Sequence, residues 1–122
     1  MILADTSIWV DHLRLGLPTL ADLLSEGRVL GHPWVIGELA CGNLRDRSRL
    51  LQLLQGLPQA PLATDGEVMV LIERQRLMGR GIGWMDAHLL ASALLASARL
   101  WSGDRRLSAI ATELGAAAKG LD

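Results

Sequence analysis

The sequence predicts an α/β fold with three layers, in which helices cover both faces of a central parallel sheet of four to five short strands. Short apolar runs alternate with longer segments of helical periodicity along the chain. The first and the last clear apolar runs are followed closely by an acid, Asp5 and Asp104 respectively. At 122 residues, 50% of them apolar, the chain can bury a core as one domain spanning residues 1–122.

Glycine and proline mark the boundaries between the predicted elements. Residues 1–4 form a first buried strand, and Thr6 or Ser7 caps the helix that follows it. Pro33 opens a helix that extends to about Gly42, since proline is favoured in the first helical turn. The other predicted helices are residues 19–25, 45–54, 64–78 (opening with a capping box), 86–98 and 104–114, and the other predicted strands are residues 28–32, 61–63, 99–102 and 116–119.

Composition limits the classes of protein that the chain can belong to. The formal net charge is -1, so the chain does not have the basic character of a protein that binds nucleic acid through bulk charge. A single cysteine, Cys41, excludes an intramolecular disulfide, and its apolar neighbours predict that it is buried. No signal peptide and no membrane-spanning run is recognised, so we expect a soluble cytoplasmic protein.

Four acids lie within four residues of the four tryptophans, and the chain has no other aromatic residue apart from histidine. Because the carboxyl ends of parallel strands meet at one edge of the sheet, these acids are expected to converge there. Converged carboxylates repel one another unless a cation or a proton neutralises them. The four pairs are Asp5 with Trp9, Glu38 with Trp34, Asp86 with Trp84, and Asp104 with Trp101.

Carboxylates without histidine or cysteine ligands select hard cations such as Mg²⁺, Mn²⁺ or Ca²⁺. Such a site can activate water and neutralise charge on a phosphoryl group. Thr6, Ser7 and Ser102 stand beside the acids and are predicted to hold them in orientation. Glu38 interrupts an apolar stretch, which predicts a buried acid that is either a ligand or an ion-pair partner.

Four motifs together resemble those of PIN-domain ribonucleases, especially VapC-type toxins. They are residues 5–14 (DTSIWVDHLR), 37–39 (GEL), 83–93 (GWMDAHLLASA) and 101–104 (WSGD), and they span essentially the whole chain in family order. One mild departure is the turn at residues 102–104 (SGD), where many relatives carry threonine and a larger residue in place of Ser102 and Gly103. The resemblance implies a PIN fold for the single domain.

The resemblance also implies an activity and partners. PIN-domain toxins cleave RNA phosphodiesters with Mg²⁺ or Mn²⁺, leaving 5′-phosphate and 3′-hydroxyl ends. A VapB-type antitoxin inhibits them, tRNA or rRNA is a plausible substrate, and a homodimer or a toxin–antitoxin hetero-oligomer is expected. Thr6 and Ser102 match the family's hydroxyl positions. The acids that match its catalytic and metal-binding positions are Asp5, Glu38, Asp86 and Asp104.

Several side chains near the acids have more than one interpretation. Arg105 and Arg106 directly follow an acid and are predicted to contact RNA phosphates. His88 is predicted to be structural, with RNA contact as the alternative. The tryptophans are predicted to pack the core more than to stack on bases.

Other functions remain open at this stage. A phosphorylation-dependent receiver module would use Asp65 as phosphoacceptor, with Ser102 and Lys119 as partners. It would also need an adjacent acidic pair, whereas Ala4 precedes Asp5. A PIN-like scaffold that binds but does not cleave, or a nuclease that acts on DNA or in RNA maturation, would keep the same motifs.

Overall fold

The computed structural model describes residues 1–119. Three parallel strands form its sheet, namely β1 (Ile2–Ala4), β2 (Val29–Leu30) and β3 (Arg99–Trp101). β1 is the middle strand and pairs with β2 on one side and β3 on the other. Every strand residue except Arg99 is buried, as expected for a parallel sheet that helices cover.

The helices begin where the sequence supplies caps or prolines. Pro18 and Pro33 lie in the first turns of their helices. Thr64 Oγ1 accepts from the Glu67 amide at 3.1 Å and Glu67 Oε1 accepts from the Thr64 amide at 2.9 Å, so the predicted capping box is confirmed. The helices are α1 (Thr6–Leu15), α2 (Pro18–Ser25), α3 (Pro33–Ala40), α4 (Arg47–Gly56), α5 (Asp65–Gln75), α6 (Trp84–Leu95) and α7 (Arg105–Glu113).

The strand order makes β1 the point where the chain changes direction across the sheet. The β1–β2 crossover contains α1 and α2, and the β2–β3 crossover contains α3 to α6. The first crossover leads from β1 to one edge of the sheet, and the second leads back past β1 to the other edge. Because both connections are right-handed, their helices lie on opposite faces of the sheet. The predicted α/β class is confirmed, and the crevice expected at such a switch point opens beyond the carboxyl end of β1.

The number of strands differs from the predicted four to five. The predicted strand at residues 61–63 is not formed, and the nearest sheet contact is a single bridge between Gly31 and Gln59. Pro58 and Pro61 flank this bridge, and a proline has no amide hydrogen to donate to a strand ladder. Only Ala63 of this segment is buried, so its apolar composition indicated a strand that the structure does not form.

The predicted last strand at residues 116–119 is also reduced to one bridge. Leu100 of β3 donates to Ala116 O at 2.7 Å and accepts from the Ala118 amide at 2.9 Å. These two bonds use only Leu100, so the segment borders β3 without extending the ladder. The sheet within residues 1–119 therefore has three strands.

The core is built around α6. Residues 87–93 of this helix are all buried, and small side chains let it pack closely against α5 and β3. Cys41 is exposed, so the prediction of a buried thiol is wrong. No helix within residues 1–119 has the length and apolar character needed to cross a membrane.

Candidate functional site

Asp5 directly follows β1 at the switch point and is buried, with 6% of its surface exposed. Its Oδ1 accepts from the Ile8 amide at 3.2 Å, so Asp5 is the N-cap of α1. The prediction that Thr6 or Ser7 caps this helix is therefore wrong. Asp5 takes this position because the first residue after β1 already has extended backbone and a short acceptor side chain.

Two serine hydroxyls hold the Asp5 carboxylate. Ser7 Oγ donates to Asp5 Oδ1 at 2.5 Å, and Ser102 Oγ donates to Asp5 Oδ2. The same hydroxyls accept backbone amides, Ser7 from Gly103 and Ser102 from Asp104, each at 3.0 Å. The carboxylate after β1 and the turn after β3 are therefore joined by a continuous hydrogen-bond network.

Gly103 lies directly against this network. A Cβ atom on this residue would lie 3.2 Å from Ser7 Oγ, which is tighter than ordinary contact. A larger residue here would press on the hydroxyl that holds Asp5.

Thr6 contributes a buried hydroxyl beside the acid. Within residues 1–119, Thr6 Oγ1 is the one fully buried side-chain oxygen or nitrogen without a hydrogen-bond partner. An unpaired buried hydroxyl costs free energy, which suggests that its partner is a bound group.

Asp104 and Asp86 also lie at helix N-termini. Asp104 is the N-cap of α7, and its Oδ1 accepts from the Arg106 amide at 2.8 Å and the Leu107 amide at 3.0 Å. Asp86 is in the first turn of α6, not at its start as predicted, and its Oδ2 accepts from the Gly83 amide at 3.2 Å. The partial positive charge of each N-terminus favours these carboxylates.

The N-terminus of α6 lies at the same edge of the sheet as Asp5. A helix that leads into a parallel strand runs antiparallel to it, so α6 starts at the carboxyl edge. Direct packing supports this placement, because a Cβ on Gly81 would lie 2.5 Å from Arg106 Cδ. The loop before Asp86 therefore touches the helix that Asp104 caps.

Glu38 is placed differently from its prediction. It lies in the second turn of α3 and is exposed, so the prediction that it is buried is wrong. Gly37 and Cys41 are exposed too, which shows that one stripe of this apolar helix faces solvent. Trp34, one turn earlier on α3, contacts His88 of α6, so this helix does reach the α6 N-terminal region.

The four acids lie at the same edge of the sheet, but their side chains do not surround a common point. Among residues 1–119, no group of three or more His, Cys, Asp or Glu side chains is close enough to hold a metal ion. The donor set nevertheless fits a hard cation, because it consists of carboxylates and hydroxyls and includes a buried hydroxyl without a partner. The residues that match are Asp5, Asp86, Asp104 and Glu38, with Thr6, Ser7 and Ser102 beside them.

The cationic and histidine residues near the acids differ in exposure. Arg105 and Arg106 are exposed in the first turn of α7. His88 is buried, its Nε2 lies 3.1 Å from Asp65 Oδ1, and its ring packs against Trp34 and Trp84. Burial supports the structural role predicted for His88 and leaves little of the ring for RNA contact.

His32 is a second buried histidine, and no motif in the sequence points to it. Its Nδ1 accepts from the Trp34 amide at 3.1 Å, so the proton is on Nε2, which donates to Ser92 Oγ at 3.0 Å. Burial, and secondarily the nearby His88, lowers the pKa of His32 from 6.5 to about 4. A neutral His32 thus caps α3 and connects it to α6.

Comparison with known proteins identifies the family. The model of the PIN domain matches residues 2–113. The chain is 48% identical over 118 residues to Ribonuclease VapC32 of Mycobacterium tuberculosis strain CDC 1551 / Oshkosh, covering 96% of this chain and 95% of the relative. The match to Ribonuclease VapC32 of strain ATCC 25618 / H37Rv has the same identity and coverage. The chain therefore belongs to the PIN-domain family and is of the VapC type within it.

Proposed function

We propose that this protein is a cytoplasmic endoribonuclease toxin that cleaves RNA phosphodiester bonds with Mg²⁺ or Mn²⁺. The observation that carries the proposal is the Asp5 carboxylate, buried at the switch point with both oxygens held by serine hydroxyls. The VapC relatives, which are named ribonucleases, support RNA as the substrate.

Each acidic residue has a stated role in the proposal. Asp5, Asp86 and Asp104 would hold the cation, and Glu38 would join them through bound water or by rotation of its exposed side chain. A bound Mg²⁺ or Mn²⁺ would supply charge neutralisation at the phosphoryl group and an activated water. Ser7 and Ser102 keep Asp5 in a fixed orientation, so the carboxylate does not have to reorganise during the reaction.

Substrate and inhibitor would approach different parts of the surface. Arg105 and Arg106 are exposed beside Asp104 and suit the phosphates of the RNA backbone. A VapB-type antitoxin would suit the groove between α1, α3 and α4, which has a volume of about 620 Å³. Its floor includes Leu13 and Leu39, and Arg14 offers charge complementarity to an acidic amphipathic segment.

The test is removal of charge at the acids with little change of shape. Asp5→Asn and Asp86→Asn should each lower metal-dependent cleavage of an RNA panel by about 100-fold or more, since loss of outer-shell partners alone typically costs 10–100-fold. Growth arrest on expression should also be lost. Chelation should abolish wild-type cleavage, and Mg²⁺ or Mn²⁺ should restore it.

Asp22→Asn is the matched control, because Asp22 is an exposed acid on α2, outside the candidate site. Circular dichroism checks that each variant folds. Undiminished cleavage in both site variants would refute the assignment. A folded wild-type protein that binds RNA but does not cleave it with either metal would favour the non-cleaving scaffold.

The receiver alternative loses its main support in the structure. Asp65 lies in the first turn of α5 and pairs with His88, and no strand precedes it at residues 61–63. A receiver's phosphoacceptor follows a strand directly, so this geometry does not match.

A further inference from the structure

Trp84 differs from the other aromatic residues in its exposure. Trp9 and Trp101 are buried, with 2% and 8% of their surfaces exposed, and Trp34 is half-buried. Trp84 is 41% exposed at the first position of α6. Its indole ring therefore has surface that core packing does not use.

The exposed ring of Trp84 is held in place by a contact with His88. Trp84 and His88 meet at a ring-centroid distance of 4.7 Å and an interplanar angle of 79°, an edge-to-face contact. His88 is itself fixed by Trp34, at 4.3 Å between centroids, and by Asp65, at 3.1 Å. An edge-to-face contact occupies at most one face of the indole, so at least one face is left open by it.

The position of Trp84 relates this open face to the candidate site. Asp86 follows two residues later in the same helical turn, and the loop immediately before Trp84 packs against Arg106. Trp84 therefore lies in the same helical turn as an acid proposed to hold the cation, directly after a loop that contacts Arg106, a cation suited to RNA phosphates. Rigid rings bind with little loss of side-chain entropy.

We propose that Trp84 is a stacking platform for an unpaired RNA base next to the bond that is cleaved. The proposal rests on the proposed ribonuclease function and names how that site recognises its substrate. Sequence-specific RNA recognition usually uses splayed, unpaired bases that stack on aromatic side chains. Single-stranded segments, rather than duplex, are then the substrate class.

A protein partner would require a different surface around the ring. Protein interfaces are built on contiguous apolar patches, and a lone exposed ring is not one. Along the chain, the nearest exposed large apolar side chains are Met78, before the loop, and Leu95, at the other end of α6. Arg106 contacts the loop that precedes Trp84 and offers positive charge to a polyanion.

The test measures RNA affinity without cleavage. Wild type, Trp84→Phe and Trp84→Leu are titrated in chelator with short fluorescent single-stranded RNAs of varied sequence, and with a matched duplex. Trp84→Leu should lose about 10-fold or more in affinity for the best single strand, as expected when a stacking partner is removed. Trp84→Phe should keep most of it, and duplex affinity should not change.

Leu95→Ala is the control, because Leu95 is 51% exposed at the other end of the same helix. It should leave the affinity unchanged. Tryptophan fluorescence should be quenched by the preferred strand in wild type and much less in Trp84→Phe. Equal affinities of the Phe and Leu variants, or no strand in the panel that quenches wild type, would overturn the proposal.

The outcomes separate this proposal from the nuclease assignment. Ring-dependent binding without metal-dependent cleavage would keep the stacking site and refute the activity. Cleavage that requires Asp5 but is indifferent to Trp84 would keep the activity and refute the stacking site. Weaker self-association of Trp84→Leu in sedimentation, with RNA affinity unchanged, would overturn it in favour of a second copy of this chain.

Discussion

Asp5 carries its negative charge into a buried position, where lost hydration must be replaced by hydrogen bonds. Ser7, Ser102 and the Ile8 amide supply them. Charge-assisted bonds of this kind are stronger than bonds between neutral groups. The orientation of the carboxylate is therefore set before any ligand arrives.

A serine-to-alanine change measures this support. Ser102→Ala removes the donor to Asp5 Oδ2 and the acceptor of the Asp104 amide, so the free energy of unfolding should fall by about 1–3 kcal/mol. Thr6→Val is the control, since it keeps shape and removes a hydroxyl that has no partner within residues 1–119. It should leave stability unchanged or raise it. Equal losses in urea unfolding of the two variants would contradict the network.

The grouping of Asp5, Ser7 and Ser102 follows from the sequence because neighbouring parallel strands end at the same edge. The exposure of Glu38 and Cys41 did not follow. Apolar neighbours indicated a buried segment, but a helix exposes one stripe whatever the average hydropathy around it. Which stripe faces outward depends on tertiary packing.

At the scale of elements, two contacts attach the loop at residues 79–83 to α7. Arg80 makes two hydrogen bonds to Glu113, at 2.7 and 2.8 Å, which lowers the pKa of Glu113 and raises that of Arg80. Arg106 lies across the backbone of Gly81, at the other end of the helix. The loop that leads to Asp86 thus follows α7.

Alanine at the loop glycines tests the contact with Arg106. Gly81 and Gly79 both have positive φ, 86° and 74°, so each alanine should cost about 1–2 kcal/mol of stability. A Cβ meets Arg106 at Gly81 only, and no atom lies within 4 Å of it at Gly79. Gly81→Ala should therefore weaken RNA binding and its salt dependence more than Gly79→Ala. Identical RNA affinities and salt slopes in the two variants would contradict the prediction that displacing Arg106 weakens RNA binding.

Element boundaries were predicted less well than element types. The helix predicted from residue 86 starts at Trp84, because Asp86 satisfies the Gly83 amide from within the first turn. An acid near a helix start is compatible with several capping positions, and the sequence does not distinguish them. Fewer strands formed than predicted. Two prolines flank the bridge at Gln59, and the segment at residues 116–119 pairs with Leu100 of the short β3 alone, so neither segment forms a ladder.

At the scale of the whole molecule, His32 and Ser92 connect the second crossover's first helix to its last. The folded state keeps His32 neutral, with its pKa lowered to about 4, whereas the unfolded chain protonates it below 6.5. The unfolded state therefore binds more protons between these values. Stability from this residue is complete above pH 6.5 and is lost as the pH falls towards 4.

The expected loss is at most about 3.5 kcal/mol, since the pKa of His32 falls from 6.5 to about 4 and one pKa unit corresponds to about 1.4 kcal/mol. Urea unfolding of wild type across this range should show the decline. His32→Asn keeps a side-chain acceptor for the α3 cap but does not titrate, so its stability should depend less on pH. The same pH slope in both proteins would mean that other groups cause the acid sensitivity.

The hydrogen bond between Ser102 and Asp5 spans 97 residues of chain. During synthesis on a ribosome, β1 emerges well before its partner β3 and the Ser102 hydroxyl beside it. Contacts of such long sequence separation form late and slowly. A nascent chain therefore lacks the closed hydrogen-bond network around Asp5 until Ser102 has been made and β3 has paired with β1.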